Sequence, residues 1–436
     1  MRIEKDPIGT VEIEPGALYG IHSVRARDNF PDRTPFHVEW YRAIGLVKLA
    51  CYMTYRKFIR ALSERRDPSS LHVPMISDGI LDRLIESATE VSQGKHFEHF
   101  IVPAISGGAG TSINMNVNEI IANLSLMKMG KEPGDYDAID PITHANVFQS
   151  TNDVIPTSLK VAAMNLQGEL ESSTARLRKA SEELEKRHRS DLRIAFTQMQ
   201  EAVPSSYGKL FGSYSEALSR DWWRVSKANE RIKVINLGGS AAGTGLAVPR
   251  YFVFEAPREL AHIAKLPLTR SENLPDATAN LDPLVEAHAI LKAHAVNVEK
   301  MSSDLRLLAS DLAARGEMKI PKKQVGSSIM PGKINPVVPE FAISAAHRVY
   351  ANDNLITSLA GKGCLDLNAY LPTIGHALLE SLKLLIACDV TLEQNLLAGI
   401  EIRSDQAAEA LLRSPAITRR SSRTSAIEPP SVRRTR

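Results

Sequence analysis

Residues Gly326 to Glu340 read GSSIMPGKINPVVPE and hold more chemically capable side chains than a connecting loop requires. Gly326 and Gly332 permit motion at either end of a short segment. Ser327 and Ser328 supply hydroxyls, and Lys333 and Asn335 add a cation and an amide just after the second glycine. A serine so placed can act as a base when a nearby ammonium and backbone amides stabilise its oxyanion. The structural alternative is a proline-braced connection whose Lys333 is merely solvated.

Three further polar islands interrupt apolar stretches. In SGGAGTSINMN, glycines 107, 108 and 110 let backbone amides face outward while Thr111 and Ser112 add hydroxyls ahead of a helix expected from about Asn116, the kind of helix start that binds anions. A turn with a polar cap explains the same residues equally well. No lysine follows these glycines and no strand or later acid supports a nucleotide-binding loop. QSTND places Ser150, Thr151 and Asn152 in succession before Asp153, neutral groups able to hold a carboxylate or ammonium, although capping explains one or two of them. TQMQEAVP offers Thr197 and Gln198 where an extended segment is expected to give way to helix near Pro204, again as substrate-positioning or capping groups.

Long helices are needed to carry these islands. Leu284, Leu291, Val298 and Leu305 recur at every seventh position behind Asp282 and Pro283, with Ala287, His294, Met301 and Leu308 on the adjoining line. Ala163, Leu170, Leu177 and Leu184 repeat the pattern, with Leu166 and Ala180 beside them. Both are seams of bundle helices. The charged end of the second run, RKASEELEKRHRS, is expected to project into solvent. Further helical patterns run from Tyr41 to about Arg65, from Val203 to Val234 and from Glu340 to about Leu397, and sustained β alternation is nearly absent, so the chain reads as mostly α. Glycine, proline and acids from Lys128 to His144 mark a boundary. The expected organisation is an N-terminal helical domain over residues 1–140, a central long-helix bundle over 141–397 and a short C-terminal segment over 398–436.

With 436 residues, 43% hydrophobic and 24% charged, the composition is that of a soluble globular protein, and no uninterrupted apolar run reaches the ~18 residues of a membrane span. No secretory or transit signal is visible at the start, and Cys51, Cys364 and Cys388 lack metal-ligand spacing, which suits reduced thiols in a cytoplasmic protein. From Arg413 onward there are seven arginines and one acid, Glu428, a composition that reads as a disordered basic tail. Nucleic-acid binding is disfavoured because the tail has no aromatics to stack on bases. His294 on the apolar seam reads as a packed core residue, while a site role for His144 beside QSTND stays open.

At these residues the chain resembles the aspartase/fumarase superfamily, whose signature GSS-x-M-P-x-K-x-N-P is matched from Gly326 to Pro336. RIEKDPIGTVEIEPGALYGIHSVRARDNF, GGAGTSINMNVNEIIAN, QSTND, NLGGSAAGTGL and DLRLLAS resemble further segments of that family in the same order, so the likeness covers about residues 2 to 395. The resemblance implies a three-domain, long-helix fold assembled as a homotetramer, with each site drawn from three subunits. It implies elimination from a small dicarboxylate through an aci-carboxylate. Ser327 would be the base, Lys333 and Asn335 would bind carboxylates, Thr111, Ser150, Thr151, Asn152, Thr197 and Gln198 would hold the substrate, and Ser328 and Glu340 would support the loop. No metal or organic cofactor is implied, since neutral donors and one cation suffice to favour the extra negative charge.

Gln198, where fumarases commonly have histidine, and Thr151, where they have a second serine, resemble the aspartate ammonia-lyases of the superfamily, as do VVPE after Pro336 and DLRLL near 305. The expected reaction is therefore release of ammonia from L-aspartate to give fumarate. Fumarate hydratase, a lyase for a substituted aspartate and an inactive scaffold homologue are the alternatives. Two features depart from the family: Ala195 and Phe196 stand where an arginine often precedes the Thr197 position, and after LLRSPAIT the sequence leaves the family pattern, which reads as a truncated C-terminal domain.

Overall fold

The amphipathic repeats form helices in the computed structural model, which describes residues 1–64, 75–313, 316–330 and 332–414. In chain order these are α1 (Ile21–Asn29), α2 (Val38–Ser63), α3 (Asp78–Ser92), α4 (Thr111–Lys128), α5 (Thr151–Arg187), α6 (Tyr207–Ile232), α7 (Arg250–Ala264), α8 (Leu274–Ala279), α9 (Asp282–Leu308), α10 (Val337–Ala360), α11 (Leu371–Thr391) and α12 (Ser404–Arg413). Among the described residues, strands occur as two-stranded sheets: β1 (Arg2–Asp6) with β2 (Gly9–Ile13), β3 (Leu192–Thr197) with β4 (Gln200–Ser206), β5 (Val234–Ile235) with β6 (Thr269–Arg270), and β7 (Met318–Lys319) with β8 (Glu401–Ile402). The chain is mostly α. The basic tail lies outside the described residues.

Two compact units are present, and neither is a single stretch of chain. The first comprises Met1–Gly168, Lys227–Ala289 and Ala351–Lys383; the second comprises Glu169–Ser226, Ile290–Tyr350 and Leu384–Arg436. In the first unit, α2 packs against α3, α4 and α7. Its Trp40, Tyr41 and Tyr52 are fully buried, and Trp40 Nε1 donates to Ser158 Oγ at 3.0 Å. The helix α4 is buried all round, including Asn114, Asn116, Asn118, Glu119, Asn123 and Ser125. Polar groups so placed need partners. Asn123 donates to Leu18 O at 2.9 Å and accepts from Gly134 N at 2.8 Å, and Asn116 Oδ1 accepts from Ile101 N at 2.9 Å. Glu119 accepts from the amides of Gly20 at 2.8 Å and His22 at 2.9 Å and from the Ser23 hydroxyl, so a distant carboxylate caps the start of α1.

The second unit buries one apolar cluster: Leu177 and Leu184 of α5, Phe211, Tyr214 and Leu218 of α6, Val298, Met301 and Leu305 of α9, and Ala342 and Ala345 of α10 belong to it. Both seventh-residue seams are thus inward faces. The end of α5 does not simply project into solvent, because Leu177, Ser181, Leu184 and His188 share one face and are buried there. The helix expected from Val203 starts only at Tyr207; residues 200–206 pair antiparallel with β3, and Pro204 opposite Ile194 is tolerated on a sheet of two edges. The pattern from Glu340 to Leu397 is two helices, separated over residues 361–370, where Gly361 and Gly363 interrupt it. Leu371–Gly399 is long and apolar enough to cross a membrane by length and composition, but 61% of its most apolar window is buried inside the fold, as in a core helix.

Candidate active site

The first unit brings two polar islands together at the starts of two helices. Residues 108, 109 and 110 all have positive φ, and α4 begins directly at Thr111, five residues before the expected start at Asn116. Gly110, at φ 93°, lies so close to Ile155 in the first turn of α5 that a Cβ would stand 2.9 Å from Ile155 Cγ2. Only glycine combines that backbone with that approach. Ser150 caps α5: its carbonyl accepts from Val154 N at 3.0 Å, its Oγ accepts from Asn152 N at 3.2 Å, and its own amide donates to Asp153 Oδ1 at 2.9 Å. Both helix starts direct amide dipoles to the same region, a setting favourable to anions. Thr111 is exposed, while Ser150, Thr151 and Asn152 are half-buried.

Behind these residues lie groups that the sequence reading did not single out. Asp153 is fully buried and its Oδ2 accepts from Gly238 N at 3.2 Å and Ser240 N at 3.1 Å, so the NLGGS segment is clamped onto QSTND. Asn236 Nδ2 donates to Asn152 O at 2.9 Å, and Asn152 Nδ2 donates to Ala241 O at 2.7 Å. Burial pushes the Asp153 carboxyl up to about 6, against the pull of these amides and of Lys48. Lys48, also fully buried, is pushed down to about 7 by burial, and its ammonium donates to Asn146 Oδ1 at 3.0 Å. Asn146 also accepts from Asn114 Nδ2 at 3.1 Å, and Asn114 reaches Thr151 Oγ1 at 3.4 Å. The one available signal was a lysine and several asparagines on otherwise apolar helical runs.

In the second unit, the Ser327 loop is closed on itself. Gly326 N donates to Lys333 O at 2.8 Å, and Asn335 Nδ2 donates to Gly326 O at 2.8 Å. Gly326 must be glycine, since a Cβ there would meet Asn335 Cγ at 2.6 Å; Gly332 has φ 83°. Ser327 Oγ accepts from Ile329 N at 3.1 Å and Met330 N at 2.9 Å. Two amide donors on one hydroxyl oxygen favour negative charge on it. Ser328 and Lys333 are exposed, and Glu340 in the first turn of α10 pairs with Arg306 at 3.3 Å. Thr197 and Gln198 are exposed at the tip of the β3–β4 hairpin, where Gln198 at φ 53° and Met199 at φ 61° make the left-handed turn that such hairpins favour. The candidates therefore form one cluster in the first unit and two separate segments in the second; no described hydrogen bond or ion pair joins hairpin tip to loop.

His144 Nδ1 accepts from Asp140 N at 2.8 Å within a turn. His294 is buried between Asp221 at 3.0 Å and Asp389 at 2.9 Å. All three cysteines are free; burial raises the Cys51 thiol and pushes Cys388 up to about 12, which makes both poor nucleophiles.

A long-helix chain with hydroxyl-rich helix starts and a serine-bearing, glycine-flanked loop has the build of a helical lyase. A family model described as Lyase matches residues 32–351. The aspartate ammonia-lyase of Bacillus subtilis is 36% identical over 402 residues, spanning 92% of this chain and 82% of that protein. That of Escherichia coli is 35% identical over 405 residues, with the same coverage of 92% and 82%. Among solved structures, a native fumarate lyase:delta crystallin from Brucella melitensis superposes with a TM-score of 0.88 at 31% identity, over 97% of this chain and 94% of that one. The chain belongs to this lyase family, the aspartase/fumarase superfamily, and has its fold.

Proposed function

We propose that this protein is a carbon–nitrogen lyase that eliminates ammonia from L-aspartate to give fumarate. The observation that carries the reading is the Ser327 hydroxyl oxygen, held by two backbone amides on a loop that also bears Lys333 and Asn335. Deprotonated Ser327 takes a proton from the carbon beside one carboxylate, and that carbon's electron pair moves into the carboxylate to form the aci-carboxylate. The adjacent C–N bond then breaks, its electrons leave with ammonia, and the double bond of fumarate forms. Lys333 and Asn335 stabilise the added charge, while Thr111, Ser150, Thr151, Asn152, Thr197 and Gln198 hold the substrate. Ser328 and Glu340 support the loop. Closure of the loop excludes water and brings the base to the substrate. The sequence resemblance extends this reading to a homotetramer with each site shared by three subunits, for which light scattering should return four times the 47.9 kDa of one chain.

Absorbance of fumarate formed from L-aspartate, and separately from L-malate, tests the reaction. The unaltered protein is expected to act on aspartate, and Ser327→Ala to lose about 100-fold or more. Fumarate from malate alone would transfer the reading to a hydratase. An unimpaired Ser327→Ala variant would remove the base.

A further inference from the structure

A cavity of about 470 Å³ opens in the second unit between β3, the start of α6 and the end of α9, a size within the ~300–1,000 Å³ of small-molecule sites. Much of its wall is apolar. Phe196, Met199, Leu307 and Leu312 line it and are exposed, and Leu308 stands beside them. Apolar side chains gathered around a surface concavity mark a place where something binds.

The polar part of the lining holds two carboxylates and two cations. Asp304 is engaged by Lys300 and by the Tyr214 hydroxyl, which donates at 2.9 Å, and Glu317 accepts from the Tyr207 hydroxyl at 2.9 Å. Arg193 differs from the other three. It is only 9% exposed, yet among the described residues no hydrogen bond or ion pair reaches it. Its guanidinium lies over the Tyr207 ring, 5.6 Å from the centroid. A ring contact of that kind offers no acceptor to the five N–H donors, and the group keeps its charge at every pH the protein meets. A buried cation without an anion is unfavourable. Since Arg193 lines the cavity, an anion placed there can satisfy it.

We propose that this cavity binds an apolar monocarboxylate, its carboxylate paired with Arg193 and its hydrocarbon chain laid against Phe196, Met199 and the neighbouring leucines. A guanidinium takes a carboxylate through two parallel hydrogen bonds. A dicarboxylate fits poorly, because its second charge would lose water among the leucines without a partner. The cavity therefore differs in ligand chemistry from the proposed aspartate site, and none of Ser150, Thr151, Ser327 and Lys333 lines it.

Isothermal titration calorimetry of the full-length protein with sodium octanoate tests the site, beside butanoate, hexanoate and octylammonium chloride. One octanoate should bind per chain, and affinity should rise about three- to fourfold for each CH2 added from butanoate to octanoate, the gain from burying a methylene. Succinate present throughout should leave octanoate binding unchanged. Octylammonium, with the same chain and the opposite charge, should not bind. Arg193→Gln should weaken octanoate about 10- to 100-fold. Its thermal midpoint should stay level or rise, because the change removes a buried charge that no described group neutralises. Should that variant fail to fold, Ala195→Phe, which fills the cavity and keeps the cation, should abolish binding instead. Octanoate binding undiminished in either folded variant, affinity indifferent to chain length, equal binding of octylammonium or displacement by succinate would each overturn the proposal. The titration does not depend on turnover, so a chain that forms no fumarate from aspartate would refute the elimination reading and still test this cavity.

Discussion

Replacing His294 with leucine should destabilise the second unit more than any change on its surface. Its two ring nitrogens meet Asp221 at 3.0 Å and Asp389 at 2.9 Å, and all three side chains are 0% exposed. Burial works against a charged imidazole here, but Asp389 and Asp221 outweigh it and push His294 up to about 10. Asp389 keeps the Ser173 hydroxyl at 3.0 Å and that of Thr174 at 2.7 Å, and Asp221 keeps Asn297 at 2.9 Å and Arg224 at 3.0 Å. Arg224 leaves Asp221 with a cation, while Asp389 keeps only neutral hydroxyls and loses its counter-charge, and two charge-assisted bonds disappear at about 1.5–3 kcal/mol each. The expected loss is about 3–5 kcal/mol, the range for breaking a buried charge pair by removing one member. Urea unfolding at fixed protein concentration would measure it, read by tryptophan fluorescence, since Trp222 and Trp223 adjoin Asp221 on α6. A second change, Asp389→Asn, in the leucine background should recover part of the loss by removing the uncompensated charge.

The pH dependence gives that prediction a sign. Because the folded-state value lies above the ordinary 6.5, the native state holds the proton more tightly than the unfolded chain. The stabilisation is fully present below pH 6.5 and is lost as pH rises through about 10, so the gap between unaltered and His294→Leu proteins should narrow over that interval. A gap below about 1 kcal/mol, the scale of an exposed pair, or one that stays constant with rising pH, would refute the reasoning.

Two further changes probe other parts of the chain. Gly326→Ala would place a Cβ 2.6 Å from Asn335 Cγ and open the Ser327 loop, so kcat/KM for aspartate should fall about 10-fold or more while the thermal midpoint moves little. Glu119→Gln leaves one acceptor oxygen for donors that now share two, so a loss of about 1–3 kcal/mol is expected in urea, with faster amide exchange at Gly20, His22 and Ser23 as its local mark.

Legibility in the sequence followed the range of the interactions. Seams such as Leu291, Val298 and Leu305 were visible because one periodicity runs through a whole helix, and each of these residues is buried. The four polar islands were visible because glycines and hydroxyls cluster within a few positions. The β3–β4 hairpin was missed because its strands are short and Pro204 imitates a helix start, while tertiary pairing with Ile194 decides the conformation. Lys48 and Asn146 were invisible for a different reason: each is a single polar residue whose partner is remote in sequence, the two being 98 positions apart, and Asn114 and Asp153 lay inside visible islands while their remote partners did not show. No local pattern encodes such a pairing.

The carboxylate that caps α1 has a bearing on how the protein is made. Gly20 and Glu119 are 99 positions apart, so at ordinary translation speeds the amides leave the ribosome about 5–20 s before their acceptor does. During that interval β1 and β2 can already pair with each other, but the amides at the start of α1 lack this acceptor. A chaperone or protease acting on the nascent protein would meet the start of α1 before Glu119 can cap it.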